Sequence, residues 1–217
     1  MPKDEGIAVI QPANIVSTTL SIQGKTPYVQ CCFAQKIIEK MMADMATKRA
    51  DRKGKSARPP RNFDEDFEQA QHKAVAGWHG IPATAFRAAM IDACRTVNLV
   101  MTKAKMSVFI VADGFDANDG TPLVRLQSPK PPERLRMPVR NDNGSADIRV
   151  RPMWREWSAK VTVEFDADMI SAESVVNLLD RAGKQVGIGE GRPFSKNSVG
   201  MGWGTFTVVA NAKEQAA

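Results

Sequence analysis

Near its C-terminal end the chain reads Gly187-Ile-Gly-Glu-Gly-Arg-Pro-Phe-Ser-Lys-Asn-Ser-Val-Gly-Met-Gly-Trp-Gly204, with glycine at six of these positions. Glycine has no Cβ, so it can adopt φ > 0 and lets another chain approach the backbone closely. Ordering glycine costs more conformational entropy than ordering other residues, so a cluster this dense indicates a defined role. Main-chain N–H groups beside two cations suit a phosphate-bearing ligand. We therefore expect Gly189, Gly191, Arg192 and Lys196 to contact such a ligand.

This glycine-rich stretch matches neither of the two common phosphate-binding motifs. A P-loop requires Gly-Lys-Ser/Thr at the start of a helix, whereas Lys196 is followed by asparagine. A dinucleotide fingerprint requires a strand before it and a helix after it, whereas the strand-like run Phe206-Thr-Val-Val209 follows here. Trp203 lies between two glycines, where it could stack on a base, worth about 1–3 kcal/mol per base in single-strand binders, or belong to the core.

The composition is that of a globular protein with a basic surplus. The 217 residues allow one sizeable core, so we expect a single domain over 1–217 with inserted elements. Hydrophobic residues make up 43% and charged residues 25% of the chain. The net charge of +6 favours a polyanionic partner.

The cysteines give no sign of a disulfide framework or a metal site. Cys31, Cys32 and Cys94 are odd in number, two of them are adjacent, and no metal-ligand spacing is present. We therefore expect no metal or cofactor, and a reducing cytoplasmic location. The N-terminal residues lack the features of a signal peptide. No apolar run approaches the roughly 18 residues of a membrane span, so we expect no membrane association.

Hydrophobic periodicity predicts an alternation of strands and helices. Predicted strands cover 15–22, 106–111, 157–165 and 206–209. Predicted helices cover 33–48, 83–99 and 171–181, the first with a methionine stripe assigned to the core and the last closed by Gly183. This order predicts an α+β protein with an RRM-like or ferredoxin-like core, an antiparallel sheet built around a split β-α-β unit, and long inserted elements.

Two segments are predicted to be insertions. Residues 47–82 begin as a basic loop, in which Lys53, Lys55 and Arg58 either contact phosphates as an arm or are simply solvated. Residues 127–153 are rich in proline and arginine and predict a protruding hairpin.

Three motifs in order resemble the CRISPR-associated RAMP superfamily. They are Gly24-Lys-Thr-Pro-Tyr28 after the first strand, Gly80-Ile-Pro-Ala-Thr-Ala-Phe-Arg-Ala-Ala-Met-Ile-Asp-Ala-Cys-Arg95 at a helix start, and the glycine-rich stretch with its closing Gly-x-Gly. Within that group the chain is most similar to the backbone subunits, which polymerise along a guide RNA. A virus- or plasmid-encoded relative with another nucleic-acid role fits as well.

The resemblance implies a non-enzymatic function in binding single-stranded RNA. It implies a head-to-tail homo-oligomer along the strand, in contact with other effector subunits. By analogy with the family, Thr84, Arg87 and Arg95 would lie near the bound strand, and Lys25 where the RNA backbone passes. A helix N-terminus offers free N–H groups to a phosphate.

Three other functions remain open at this point. The first is an RNA endonuclease of the same fold, with His79 as general base or with Asp113 or Asp116 in a cutting loop. The second is a single-stranded DNA-binding replication or recombination protein, which the 2′-hydroxyl would distinguish. The third is an assembly protein that binds no nucleic acid.

Overall fold

A computed structural model describes residues 11–32, 35–46, 61–140, 144–195 and 200–209. The helices are α1 (Gln35–Ala46), α2 (Phe63–Gln69), α3 (Ala83–Ala93), α4 (Met101–Ser107) and α5 (Ala172–Arg181). The strands are β1 (Ile15–Gly24), β2 (Tyr28–Val29), β3 (Gly80–Pro82), β4 (Val108–Val111), β5 (Gly114–Phe115), β6 (Pro122–Gln127), β7 (Glu133–Arg140), β8 (Ala146–Trp154), β9 (Ser158–Asp166) and β10 (Phe206–Val209).

The described chain is an α+β protein with antiparallel sheets, as the sequence predicts. In the larger, seven-stranded sheet the strands follow the order β10-β1-β9-β6-β3, while β4 also pairs with β9 and β5 with β6. Strand β1 thus lies between β9 and β10, with Ile22 opposite both Ala159 and Val208. A smaller sheet has the order β2-β8-β7.

The two faces of β1 and β9 differ because side chains alternate along a strand. Ile22, Val161, Val163 and Phe165 are buried and face the core. The opposite face carries polar side chains, among them the Thr19 and Thr162 hydroxyls, which lie 2.9 Å apart.

Helices α3 and α5 cover the buried face of this sheet. Phe86 and Met90 of α3 and Leu179 of α5 are at most 1% exposed and belong to one cluster with the sheet residues. Ser171 caps α5 by accepting a hydrogen bond from the Ser174 N–H at 3.2 Å. The amphipathic pattern of 171–181 therefore predicts this helix correctly.

The predicted closure of α5 by Gly183 is wrong. The chain continues from Ala182 to Val186 as a π-helical turn, and the left-handed residue that follows is Gly187, with φ of 72°. A Cβ at Gly183 would collide with the backbone oxygen and the ring of Phe206. The glycine at 183 is therefore needed for close packing against β10, not for a turn.

The prediction that the methionine stripe of α1 belongs to the core is also wrong. Met41, Met42 and Met45 are 48%, 66% and 75% exposed. They line a cavity of about 390 Å³ together with Cys31 and Cys32. Periodicity identifies the helix and its apolar face, but it does not show whether another element covers that face.

Two further predicted elements need correction. The helix predicted over 83–99 ends at Ala93 and passes into a 3-10 turn, so Val97 is 38% exposed. The strand predicted over 106–111 begins only at Val108, because Met106 belongs to α4. This strand is not fully buried, since Phe109 is 40% exposed.

Strands β7 and β8 pair antiparallel and cover most of the predicted insertion 127–153, with β8 ending one residue beyond it. The pairs run from Glu133 opposite Met153 to Arg140 opposite Ala146. Of the predicted insertion 47–82, residues 61–82 contain α2 and β3, and residues 47–60 lie outside the described residues. None of the helices in the described ranges is both long and apolar enough for a membrane crossing.

Candidate functional site

All six glycines of the stretch 187–204 have a left-handed backbone, with φ between 67° and 81°. The amide of Ile188 donates to the Gly204 carbonyl at 3.0 Å, and the amide of Gly204 donates to the Pro27 carbonyl at 2.8 Å. A Cβ at Gly204 would collide with the Ile188 carbonyl. The close backbone approach that the sequence predicts for a ligand is therefore made, at this end of the stretch, by the protein's own chain.

The middle of the glycine stretch borders a groove. Two adjoining cavities of about 280 and 290 Å³ share Ala85, Gly189 and Arg192 in their walls. We call them together the glycine-loop groove. Its other wall residues include Tyr28, Gln30, Cys31, His72, Thr84, Ala88 and Glu190.

Gln30 fixes the floor of the glycine-loop groove. Its side chain is buried, and its Nε2 donates to the Gly80 carbonyl at 2.7 Å and to the Tyr28 hydroxyl at 3.2 Å. Its Oε1 accepts the main-chain N–H of His72 at 2.9 Å. Burial raises the pKa of Tyr28 far above its usual value, which the hydrogen bond from Gln30 offsets only in part. The floor is therefore rigid and uncharged.

Three guanidinium groups and one carboxylate surround one end of the groove. Arg151 Nε lies 2.5 Å from Glu190 Oε2, and Arg149 Nη1 lies 3.9 Å from Glu190 Oε1. Arg192 Nη1 donates to the Gly189 carbonyl at 3.2 Å. Because one carboxylate cannot neutralise three cations, this end of the groove is electropositive.

Arg149 and Arg151 are absent from the candidate residues chosen from the sequence. The sequence predicts an arginine-rich hairpin, but the side of the hairpin that faces the glycine loop depends on strand register. The signal was the two-residue spacing of Arg149 and Arg151, which places both side chains on one face of β8.

Several predicted residues come together at the groove. Thr84, Gly189 and Arg192 line it, although their sequence positions span nearly half of the chain. Gly191 packs against the Trp203 ring, and the Trp203 amide donates to the Gly191 carbonyl at 3.1 Å. Trp203 is partly exposed.

Two predicted arginines lie at different distances from this site. Arg95 is 60% exposed, with its guanidinium 5.9 Å from the Phe194 ring and 3.9 Å from Asp92, a groove residue. Arg87 is engaged elsewhere, because it donates to the carbonyls of Val108 at 2.9 Å and Lys105 at 2.5 Å. Arg87 therefore fixes the junction between α4 and β4.

The other basic residues predicted to bind the ligand are either in a turn or outside the described residues. Lys25 is exposed in the turn after β1, and its amide donates to the Thr205 carbonyl at 2.8 Å. Lys53, Lys55, Arg58 and Lys196 lie outside the described residues.

The two indole rings near Arg155 are both structural. Trp154 and Trp157 are at most 2% exposed and pack on Tyr28, with ring centroids 5.7 and 5.5 Å away. Trp157 Nε1 also donates to the Thr26 carbonyl at 2.9 Å. Neither ring can stack on a ligand in this conformation.

The histidine proposed for a nuclease does not face the groove. His79 Nε2 lies 2.8 Å from Gln71 Oε1, and its ring stands edge-on to Trp154 at 5.5 Å. Partial burial, followed by the charge of Lys73, lowers the pKa of His79. Asp113 accepts the Arg125 amide at 2.7 Å, and Asp116 is buried against His72.

Comparison with known proteins adds no assignment to this geometry. No family model matches the sequence, and no curated protein matches it either.

Proposed function

We propose that this protein binds single-stranded RNA, without catalysis, along the glycine-loop groove. The observation that carries the proposal is the convergence of Thr84, Gly189 and Arg192 in one groove with Arg149 and Arg151 on the facing hairpin. The guanidinium groups would contact phosphates, and Trp203 would stack on a base.

The strand order supports an RRM-like or ferredoxin-like core. Such a core has the spatial strand order 4-1-3-2, and β10-β1-β9-β4 follows that order with α3 and α5 as its two helices. The resemblance to the RAMP backbone subunits rests on the three sequence motifs and implies a core of the same kind. On this basis we extend the proposal to guide RNA and to head-to-tail stacking of protomers along it.

The exposed face of the larger sheet is a poorer candidate for the RNA site than the groove is. RRM domains stack bases on aromatic side chains of the open sheet face. Here the corresponding positions of β1 and β9 carry Ser17, Thr19, Lys160 and Glu164. Hydroxyl and charged groups offer no stacking platform on these two strands. The exposed Phe109 of the neighbouring strand β4, opposite Glu164, is already engaged by Arg87, whose guanidinium carbon lies 5.0 Å from the ring centroid. The cationic groove is therefore the better candidate.

Two matched variants, one in the groove and one on the open sheet face, test where the RNA binds. Arg192→Ala removes one cation from the groove, and Lys160→Ala removes one from the open sheet face. We expect Arg192→Ala to weaken binding of a fluorescent 20-mer RNA and to reduce the slope of log K against log salt by about 0.7. Lys160→Ala should leave both quantities unchanged.

Two outcomes of the same anisotropy titration would overturn the proposal. An effect of Lys160→Ala with none of Arg192→Ala would move the RNA to the sheet face. Absence of RNA binding by the wild-type chain at low salt would remove the function itself. A DNA 20-mer of the same sequence serves as the comparison, and tighter binding of DNA would favour the replication or recombination alternative.

A further inference from the structure

A second cluster of polar side chains lies beside the groove and belongs to two different loops. His72 follows α2, and Asp116 and Asp119 lie in the turn between β5 and β6. An antiparallel bridge between Ala74 and Asp116 holds the two loops together. One nitrogen or oxygen atom from each of the three side chains lies within 4.8 Å of the other two.

Two of these three side chains are removed from solvent. The Asp116 side chain is 0% exposed and that of His72 is 10% exposed, with Nδ1 and Oδ2 2.7 Å apart. Main-chain amides fix the carboxylates, since Asn118 N donates to Asp116 at 2.8 Å and Thr121 N to Asp119 at 2.9 Å. The three groups are therefore held in place before any ligand binds, which lowers the entropic cost of binding.

The chemistry of the cluster matches a borderline metal ion. One imidazole nitrogen with two carboxylate oxygens is a ligand set that Zn²⁺ accepts, at about 2.0–2.2 Å from the metal. His72 Nδ1 and Asp116 Oδ2 lie 2.7 Å apart, so an ion that replaces the hydrogen between them is coordinated by both atoms, with the imidazole N–H on Nε2.

The cluster also has access to solvent through a neighbouring cavity. His72 and Asp119 line the cavity of about 390 Å³ next to α1, and Cys31 and Cys32 line the same cavity. This cavity gives an ion a route from solvent and space for a further ligand. The sequence does not show this set, because its members come from separate loops and follow no ligand spacing.

We propose that His72, Asp116 and Asp119 form a binding site for one divalent transition-metal ion of the zinc type. The site opens into the cavity beside α1 and shares His72 with the glycine-loop groove.

Titration of the EDTA-treated full-length protein with Zn²⁺ alone tests this proposal. We expect one equivalent of Zn²⁺ to bind, measured by calorimetry, and Asp119→Asn to weaken binding at least tenfold. Asp119 is exposed, so this variant should fold, which circular dichroism would verify. Asp168→Asn changes an exposed turn carboxylate outside the cluster and should bind Zn²⁺ like the wild type.

A second measurement tests the alternative that Cys31 and Cys32 bind the ion instead of the cluster. Co²⁺ in place of Zn²⁺ should give a visible spectrum of nitrogen and oxygen ligation without thiolate charge-transfer bands. No binding by the wild type, unchanged binding by Asp119→Asn, or loss of binding only in Cys31→Ser with Cys32→Ser would each overturn the proposal. RNA is absent from these titrations, so their result does not depend on the function proposed above.

Discussion

At the scale of single residues, the glycines of 187–204 do more for the protein's own packing than the sequence suggests. Gly204 combines a φ of 68° with a contact to the Ile188 backbone that leaves no space for a Cβ. Gly202 has a φ of 76°, but a Cβ added there would meet nothing within 4 Å. A substitution at Gly202 would therefore add backbone strain alone, whereas a substitution at Gly204 would add both backbone strain and a steric clash.

We predict that Gly202→Ala lowers the free energy of unfolding by about 1–2 kcal/mol, the usual cost of a left-handed alanine. Gly204→Ala should lower it further, because the Ile188 carbonyl must also move. Urea unfolding of both variants measures the difference. Equal losses would show that the contact between Gly204 and Ile188 is readily relaxed.

Local sequence motifs identify some of the groove residues but do not distinguish them from residues with a structural role. The helix start at Thr84 and the cation in the glycine stretch, Arg192, could both be chosen from sequence, because each belongs to a recognisable local pattern. Arg87 has the same appearance in sequence, but it donates to backbone carbonyls of two other elements, α4 and β4. Only the three-dimensional position of Val108 and Lys105 distinguishes these two uses of an arginine.

At the scale of elements, Asp180 connects α5 to the last strand. It accepts hydrogen bonds from the Thr207 hydroxyl at 2.8 Å and the Val208 amide at 3.1 Å, and pairs with Lys184 at 2.5 Å. Partial burial raises the pKa of Asp180, but the hydrogen bonds from Lys184, Thr207 and Val208 outweigh it and hold the pKa below its usual value. The ionised form therefore stabilises the folded state.

We predict that Asp180→Asn lowers the free energy of unfolding by about 1 kcal/mol at neutral pH. Because the folded-state pKa is lowered, this contribution is complete above the usual carboxyl range and is lost as the pH falls through the folded-state pKa. Urea unfolding at neutral pH and again in acid, below the usual carboxyl range, should therefore show a smaller difference between wild type and variant at the lower pH. The exposed Glu164→Gln should change stability by less than about 0.5 kcal/mol.

The elements were predicted with uneven success, for physical reasons. Strand β1 and helix α5 have strong periodic patterns and lie where the sequence places them. The methionines of α1 have an equally clear pattern but remain exposed, because amphipathicity specifies an apolar face and not its partner. Predicting which arginines face the groove would have required the register in which β7 pairs with β8, and local sequence does not specify that register.

At the scale of the whole molecule, the proposed stacking along RNA has a direct test. If protomers bind side by side, the mass of the complex should increase in equal steps as the RNA is lengthened. We predict such steps in mass photometry of complexes with RNAs of increasing length. A constant mass, with one protomer on every RNA, would contradict the head-to-tail arrangement while leaving RNA binding intact.

Strand β1 lies between two strands that are made much later, since Ile22 pairs with Ala159 on one side and Val208 on the other. During synthesis on a ribosome, β1 emerges with both of its hydrogen-bonding edges unsatisfied. Non-local pairing of this kind is slow and exposes edges that can associate wrongly. We therefore expect β1 to reach its native pairing only after the last strand has been synthesised.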